Sequence, residues 1–127
     1  MSKSESHTFQ SYDRLRVWHE ARALIKDVYR VTGNFPPSEN NNLVSQLRRA
    51  AVSIAANIAE GTRRKTVQDY THFLNIAEGS ASEVKGLLTI ANDVGYITSP
   101  EYARLFKLAD TVTAMIFGLR LKISGKQ

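Results

Sequence analysis

A chain of 127 residues with 43% hydrophobic and 23% charged side chains has the size and balance of one globular domain. The absence of cysteine excludes disulfides, thiolate metal sites and cysteine nucleophiles, and it fits a reducing, cytoplasmic setting. A net charge of +5 favours polyanionic partners. The polar start MSKSESHTFQSY excludes a secretory signal, and the lack of any run near the ~18 apolar residues of a span excludes a membrane partner.

Residues 1–11 are small and polar and are expected to form a disordered tail, residues 12–124 the folded unit, and residues 125–127 a frayed end. The first helix is predicted over Asp13–Thr32, where Leu15, Trp18, Ala21, Leu24, Ile25, Val28 and Val31 recur at steps of mostly three and four. Its other face holds Arg16, His19, Glu20, Arg22, Lys26, Asp27 and Arg30, a solvated surface of mixed charge. Gly33 and Pro36-Pro37 stop it.

The second helix is predicted over Leu43–Glu60, with a core stripe of Leu43, Leu47, Ala50, Ala51, Ile54 and Ile58. From Gln46 to Gly61 only Arg48, Arg49 and Glu60 carry charge. At 100° per residue, Gln46, Arg49, Ser53, Asn57 and Glu60 fall in a narrow polar stripe beside the core. The rest of the helix is small and mostly apolar, so it is expected to be covered on more than one side. In so short a chain that cover implies another copy.

Gly61 should end this helix, and Thr62-Arg63-Arg64-Lys65 makes a basic turn. Thr66 with Asp69 resembles a capping box and opens a third helix over Val67–Val94. Its main stripe runs from Val67 through Tyr70, Leu74, Ala81 and Leu88 to Ala91. A second apolar group, Ile76, Leu87, Ile90 and Val94, lies to one side, flanked by Gly79 and Gly86, where a second backbone could approach closely. After Gly95, Ser99 is the expected N-cap of a fourth helix over Pro100–Ile123, which has no charge between Asp110 and Arg120. No alternation of strand type occurs. The expected fold is an all-α, antiparallel up-and-down four-helix bundle that assembles as a homo-oligomer.

Four segments together carry a resemblance. They are Leu15–Thr32, Phe35-Pro36, QLRRAAVSIAANIAEG (Gln46–Gly61) and FLNIAEGSASE (Phe73–Glu83). In this order they resemble the small proteins encoded in intervening sequences of bacterial large-subunit ribosomal RNA genes. The resemblance covers nearly all of Phe9–Leu121. It implies a ring, typically a homopentamer, and a distant relation to the accessory variability determinant of diversity-generating retroelements, which binds nucleic acid and a reverse transcriptase. The connector Glu39-Asn40-Asn41-Asn42 stands where the family often has basic and aromatic residues.

No catalytic residue, metal site or cofactor is expected. Asp69-x-x-His72 is a single carboxylate–histidine pair, whereas a di-iron bundle needs two such pairs and two more carboxylates. Ser53, Ser80 and Ser82 have no base at a defined spacing. The candidate nucleic-acid contacts are Arg63, Arg64 and Lys65, with Arg48 as a further exposed cation. The candidate subunit seam is Gln46, Arg49, Ser53, Asn57 and Glu60 with Gly79, Glu83 and Gly86. Arg49 is expected to find Glu83 or Glu78 on the third helix, because a guanidinium among alanines needs an acceptor. Two functions stay open: a non-enzymatic RNA-associated oligomer, and a ring that docks a protein partner without nucleic acid.

Overall fold

Apolar residues at steps of three and four draw the chain into four helices: α1 (Arg16–Thr32), α2 (Ser45–Thr62), α3 (Val67–Asp93) and α4 (Ser99–Ile123). The computed structural model describes residues 6–125, and among these there is no strand. Each helix packs on the two beside it, in the cyclic order α1, α2, α3, α4. Asp27–Arg104 and Arg30–Glu101 join α1 to α4, and Glu78–Arg120 and Lys85–Asp110 join α3 to α4. In both sets the numbers rise along one helix as they fall along the other, so these neighbours are antiparallel. The result is the all-α four-helix bundle the pattern predicts.

All six residues assigned to the α2 core stripe are buried, from Leu43 to Ile58. They meet Leu24 and Val28 of α1, Tyr70, Leu74, Val84 and Leu88 of α3, and Leu105, Val112 and Ile116 of α4 in one core. The helices are unequal: α3 and α4 have 27 and 25 residues against 17 and 18 for α1 and α2. At 1.5 Å per residue the longer pair extends roughly 10–15 Å farther. The connector after α1 fills that space. A 3-10 turn (Pro37–Glu39) and a π turn (Asn40–Val44) bring Phe35, Leu43 and Val44 into the core. The Phe35 ring lies 5.3 Å from that of Tyr96. Glu39 has a local structural task here. Its carboxylate accepts from the Tyr96 hydroxyl at 3.2 Å, from Asn42 at 3.0 Å and from the Leu43 N–H at 3.4 Å.

Five boundaries differ from expectation, the slightest being the end of α3 at Asp93 instead of Val94. α1 begins at Arg16, not Asp13: Tyr12–Arg14 form a 3-10 turn and Leu15 is extended (φ −93°, ψ 127°). That break folds Tyr12 back onto Trp18, with ring centroids 4.7 Å apart. α2 begins at Ser45, because the π turn takes residues 40–44. Its other end passes through Gly61 to Thr62. Gly61 is there for space, since an added Cβ would lie 2.8 Å from Tyr70 Cδ1. The cap of α4 is Thr98, whose Oγ1 accepts from the Glu101 N–H at 3.3 Å. Gly95 does stop α3. At φ 82° it lets Tyr96 N–H reach the Ala91 carbonyl at 2.9 Å, and its own N–H reaches the Asn92 carbonyl at 3.1 Å, a Schellman closure.

Part of the expected tail packs on the bundle. His7 N–H donates to the Lys65 carbonyl at 2.6 Å, and the Phe9 ring meets Tyr70 edge-on at 4.8 Å. Residues 1–5 lie outside the described residues, as do 126–127.

Candidate functional site

The turn between α2 and α3 carries Arg63, Arg64 and Lys65, and the three differ in situation. Arg64 pairs with Glu60 one turn back, and its guanidinium sits 4.7 Å from the centroid of Phe73. It clamps the end of α2 to the start of α3. Arg63 and Lys65 are exposed, and among the described residues neither forms an ion pair. Their backbone is held firmly. Arg63 and Arg64 N–H reach the Glu60 and Gly61 carbonyls, the Lys65 carbonyl receives His7, and Thr66 Oγ1 caps α3 at Asp69 N–H, 3.1 Å. Long cationic side chains on a fixed turn can reach phosphates without burial cost.

Arg48 is not the exposed contact the sequence suggests. Its Nε donates to Thr32 Oγ1 at 2.9 Å, and its guanidinium lies 4.5 Å from the Tyr29 ring centroid. Thr32 is buried and donates its own hydrogen to the Val28 carbonyl at 2.7 Å, which leaves its oxygen free to accept from Arg48. Arg48 ties α2 to α1.

Antiparallel order puts the starts of α1 and α3 at the same end as the finishes of α2 and α4. That end gathers Arg14, Arg16, Arg63, Lys65 and Lys122, all exposed and, among the described residues, outside any ion pair. Asp13, Glu20, Glu60 and Asp69 are the carboxylates of this end, and Glu60 is taken by Arg64. The far end holds a salt-bridged quartet. There Arg30 and Arg104 are matched to Asp27 and Glu101 at 2.7–3.3 Å. The hydrogen bond from Arg104 holds the Asp27 carboxyl below its ordinary range, and the bond from Arg30 does the same for Glu101. The salt-bridged quartet thus marks one end of the bundle and five unpaired cations gather at the other, although Lys26, Arg49 and Lys107 toward the quartet end are also exposed and, among the described residues, outside any ion pair.

The seam expected on α2 is partly assembled. Gln46, Arg49 and Ser53 line an open groove of about 250 Å³ with Ala50, Ser80 and Glu83. Ser80 Oγ donates to Ser53 Oγ at 2.8 Å, and Asn57 Nδ2 donates to the Ser53 carbonyl at 2.8 Å. Arg49 does not reach α3. It donates to Ser45 Oγ at 3.3 Å, while Glu78 is taken by Arg120 at 2.9 Å; among the described residues Glu83 forms no ion pair. The groove separates Arg49 and Glu83, and Ser45 on the same helix gives Arg49 a nearer acceptor. Glu60 leaves the seam for Arg64. Gly79 and Gly86 are exposed, and an added Cβ at either would meet nothing within 4 Å. Beside them runs the second apolar stripe, with Ile90 50% and Val94 55% exposed, and on α2 Val52 is 41% exposed.

The family model of the 23S rRNA-intervening sequence protein matches residues 13–118, most of the chain. The chain belongs to that family. Among solved structures, it is similar to a protein of unknown function from the S23 ribosomal protein family of Bacteroides thetaiotaomicron. The two share 21% identity and a TM-score of 0.74, over 82% of this chain and 97% of that one, a likeness of fold. No curated protein matches.

The family match spans the turn and the groove, while Lys122 lies beyond it. Sequence reasoning placed Arg16 on the solvated face of the first helix and gave Arg14 and Lys122 no part in a site, and so missed their grouping with the turn. Four helices with short connections already imply that grouping. Asp69 and His72 stand apart from any metal arrangement: among the described residues no three His, Cys, Asp or Glu side chains converge. No described helix is long and apolar enough to cross a membrane.

Proposed function

We propose that the protein is a non-enzymatic, oligomeric, nucleic-acid-associated protein of the cytoplasm, with RNA as its ligand. The observation that carries the reading is the gathering of five exposed and unpaired cations at one end of the bundle. Exposed Arg and Lys give phosphate contacts and a strong salt dependence. Membership of a family named for an intervening sequence in 23S rRNA favours RNA over DNA. The reading needs no cofactor and no catalytic residue. Ser53 and Ser80 bond each other, and their nearest polar neighbours are Asn57 and the groove side chains.

Arg63→Ala/Lys65→Ala tests it. RNA affinity is expected to fall, and the slope of log K against log salt to drop by roughly 1–2. Thermal stability should stay within about 0.5 kcal/mol of the parent, as for other surface changes. Arg64→Ala should instead cost about 1 kcal/mol of stability, because it removes both the Glu60 pair and the Phe73 contact. Affinity unchanged by the double substitution, or no RNA binding even at about 50 mM salt, would overturn the proposal.

The same reading has copies of the chain packing on the outer faces of α2 and α3, five being the number the family resemblance implies. The bare stripe at Ile76, Leu87, Ile90 and Val94 favours a second reading, a scaffold that docks one protein. Pull-down of a stoichiometric protein without RNA would select that reading.

A further inference from the structure

We infer that the basic end takes an unpaired strand in preference to a duplex. This rests on the nucleic-acid reading above and narrows it to one substrate class. The observation is that the end carrying the free cations also carries a group of aromatic rings, two of them covered by the guanidinium groups of Arg22 and Arg64. All three histidines and the only tryptophan of the chain lie at this end.

The rings form three groups. Tyr12 and His19 flank Trp18 at 4.7 and 5.2 Å, with the Arg22 guanidinium 4.9 Å from the Trp18 centroid. His7 stacks on Phe9 at 5.4 Å, and Phe9 rests on Tyr70. His72 stands edge-on to Phe73 at 5.2 Å, with Arg64 on the Phe73 ring. His19 and His72 are exposed, while His7, Phe9, Tyr12, Trp18 and Phe73 are half-buried. Packing has already ordered these rings, so little further entropy is lost when a base stacks on them.

In a duplex the base faces are stacked on one another, and a surface ring finds nothing to cover. Reading a duplex also requires an element that enters a groove, and the deep major groove of an RNA helix admits no side chains. This end offers helix termini and a turn, with no helix laid across it. An unpaired strand exposes both its phosphates and its base faces. Cations beside fixed rings match both.

Fluorescence anisotropy on the full-length protein tests the inference. The probes are a labelled oligouridine of about 20 nucleotides, whose bases barely stack on themselves, and an RNA duplex of the same length, with inorganic polyphosphate as a base-free competitor. At about 100 mM salt the oligouridine is expected to bind at least ~10-fold tighter than the duplex. His72→Ala, an exposed substitution, should weaken oligouridine binding about fivefold or more and leave the duplex and polyphosphate within about twofold. Trp18 emission should be quenched by oligouridine and unmoved by polyphosphate. A duplex that binds as tightly as the strand overturns the inference and leaves the nucleic-acid reading standing. So does His72→Ala acting equally on all three polyanions. Failure of both nucleic acids to bind at about 50 mM salt overturns the parent reading, and the inference with it.

Discussion

Gly61 is buried within α2, and an aromatic ring occupies the place of its missing side chain. An added Cβ would lie 2.8 and 3.1 Å from two ring atoms of Tyr70 and 3.3 Å from Phe73 Cβ. Tyr70 is 1% exposed and has Phe9 on another side, so the ring has nowhere to retreat. Burial also pushes its hydroxyl pKa up to about 12. Alanine would gain up to ~1 kcal/mol of helix propensity and lose about 1–3 kcal/mol to overpacking. Gly61→Ala is therefore expected to destabilise by roughly 1–2 kcal/mol, read from the urea midpoint. A variant as stable as the parent would show that Tyr70 does not sit against this backbone. Sequence alone reads Gly61 as a helix stop, because glycine marks both a left-handed turn and a close approach. Only the position of Tyr70 across the bundle separates the two meanings.

The contact between α1 and α4 is secured by Asp27, Arg30, Glu101 and Arg104, each acid bonded to both bases. Both carboxyls sit below their ordinary values, Asp27 chiefly through Arg104 and Glu101 chiefly through Arg30. A depressed carboxyl contributes stability above its unfolded pKa, near 4, and that contribution is lost as pH falls through the folded value. Melting temperature is expected to drop as pH falls below about 4, and Asp27→Asn should make that drop shallower. At neutral pH the substitution should cost about 1 kcal/mol or less, since both arginines are half exposed. Melts of both proteins at pH 7 and pH 3 check this, and an unchanged acid drop would refute the role given to Asp27. The helices themselves were legible because their apolar stripes repeat at local spacing; Leu43 to Ile58 needs no partner to be recognised. The quartet was not. On α1 alone Asp27 and Arg30 look like ordinary solvated charge, and their role depends on the register of a helix some 75 residues away in sequence. Arg49 failed for the same reason: Glu83 lies on the right helix, but Ser45 lies nearer on its own.

The whole molecule gathers unpaired cations at one end and leaves apolar side chains exposed on α2 and α3, with Phe117 of α4 exposed as well. Val52 on α2 and Ile76, Ile90 and Val94 on α3 face outward, with Gly79 and Gly86 beside them. Exposed glycine in a helix interior weakens the helix by about 1 kcal/mol against alanine, a cost that makes sense where another backbone must come close. In a cyclic assembly every subunit presents the same end in the same direction. The free cations would then repeat around one rim or wall, and weak phosphate contacts would add through effective concentration. Gly79→Ala/Gly86→Ala separates the two consequences. Each subunit alone should gain up to ~1 kcal/mol per site in a urea melt, because the added methyls meet nothing within the chain. Self-association should weaken, since the same methyls hold a neighbouring backbone away. Light scattering across a micromolar dilution series should show a smaller mass at lower concentration, and RNA affinity should fall by about 10-fold or more although no cation has changed. A parent protein that is monomeric at micromolar concentration, or a double variant that keeps both its mass and its RNA affinity, would mean that this side of the bundle meets only water.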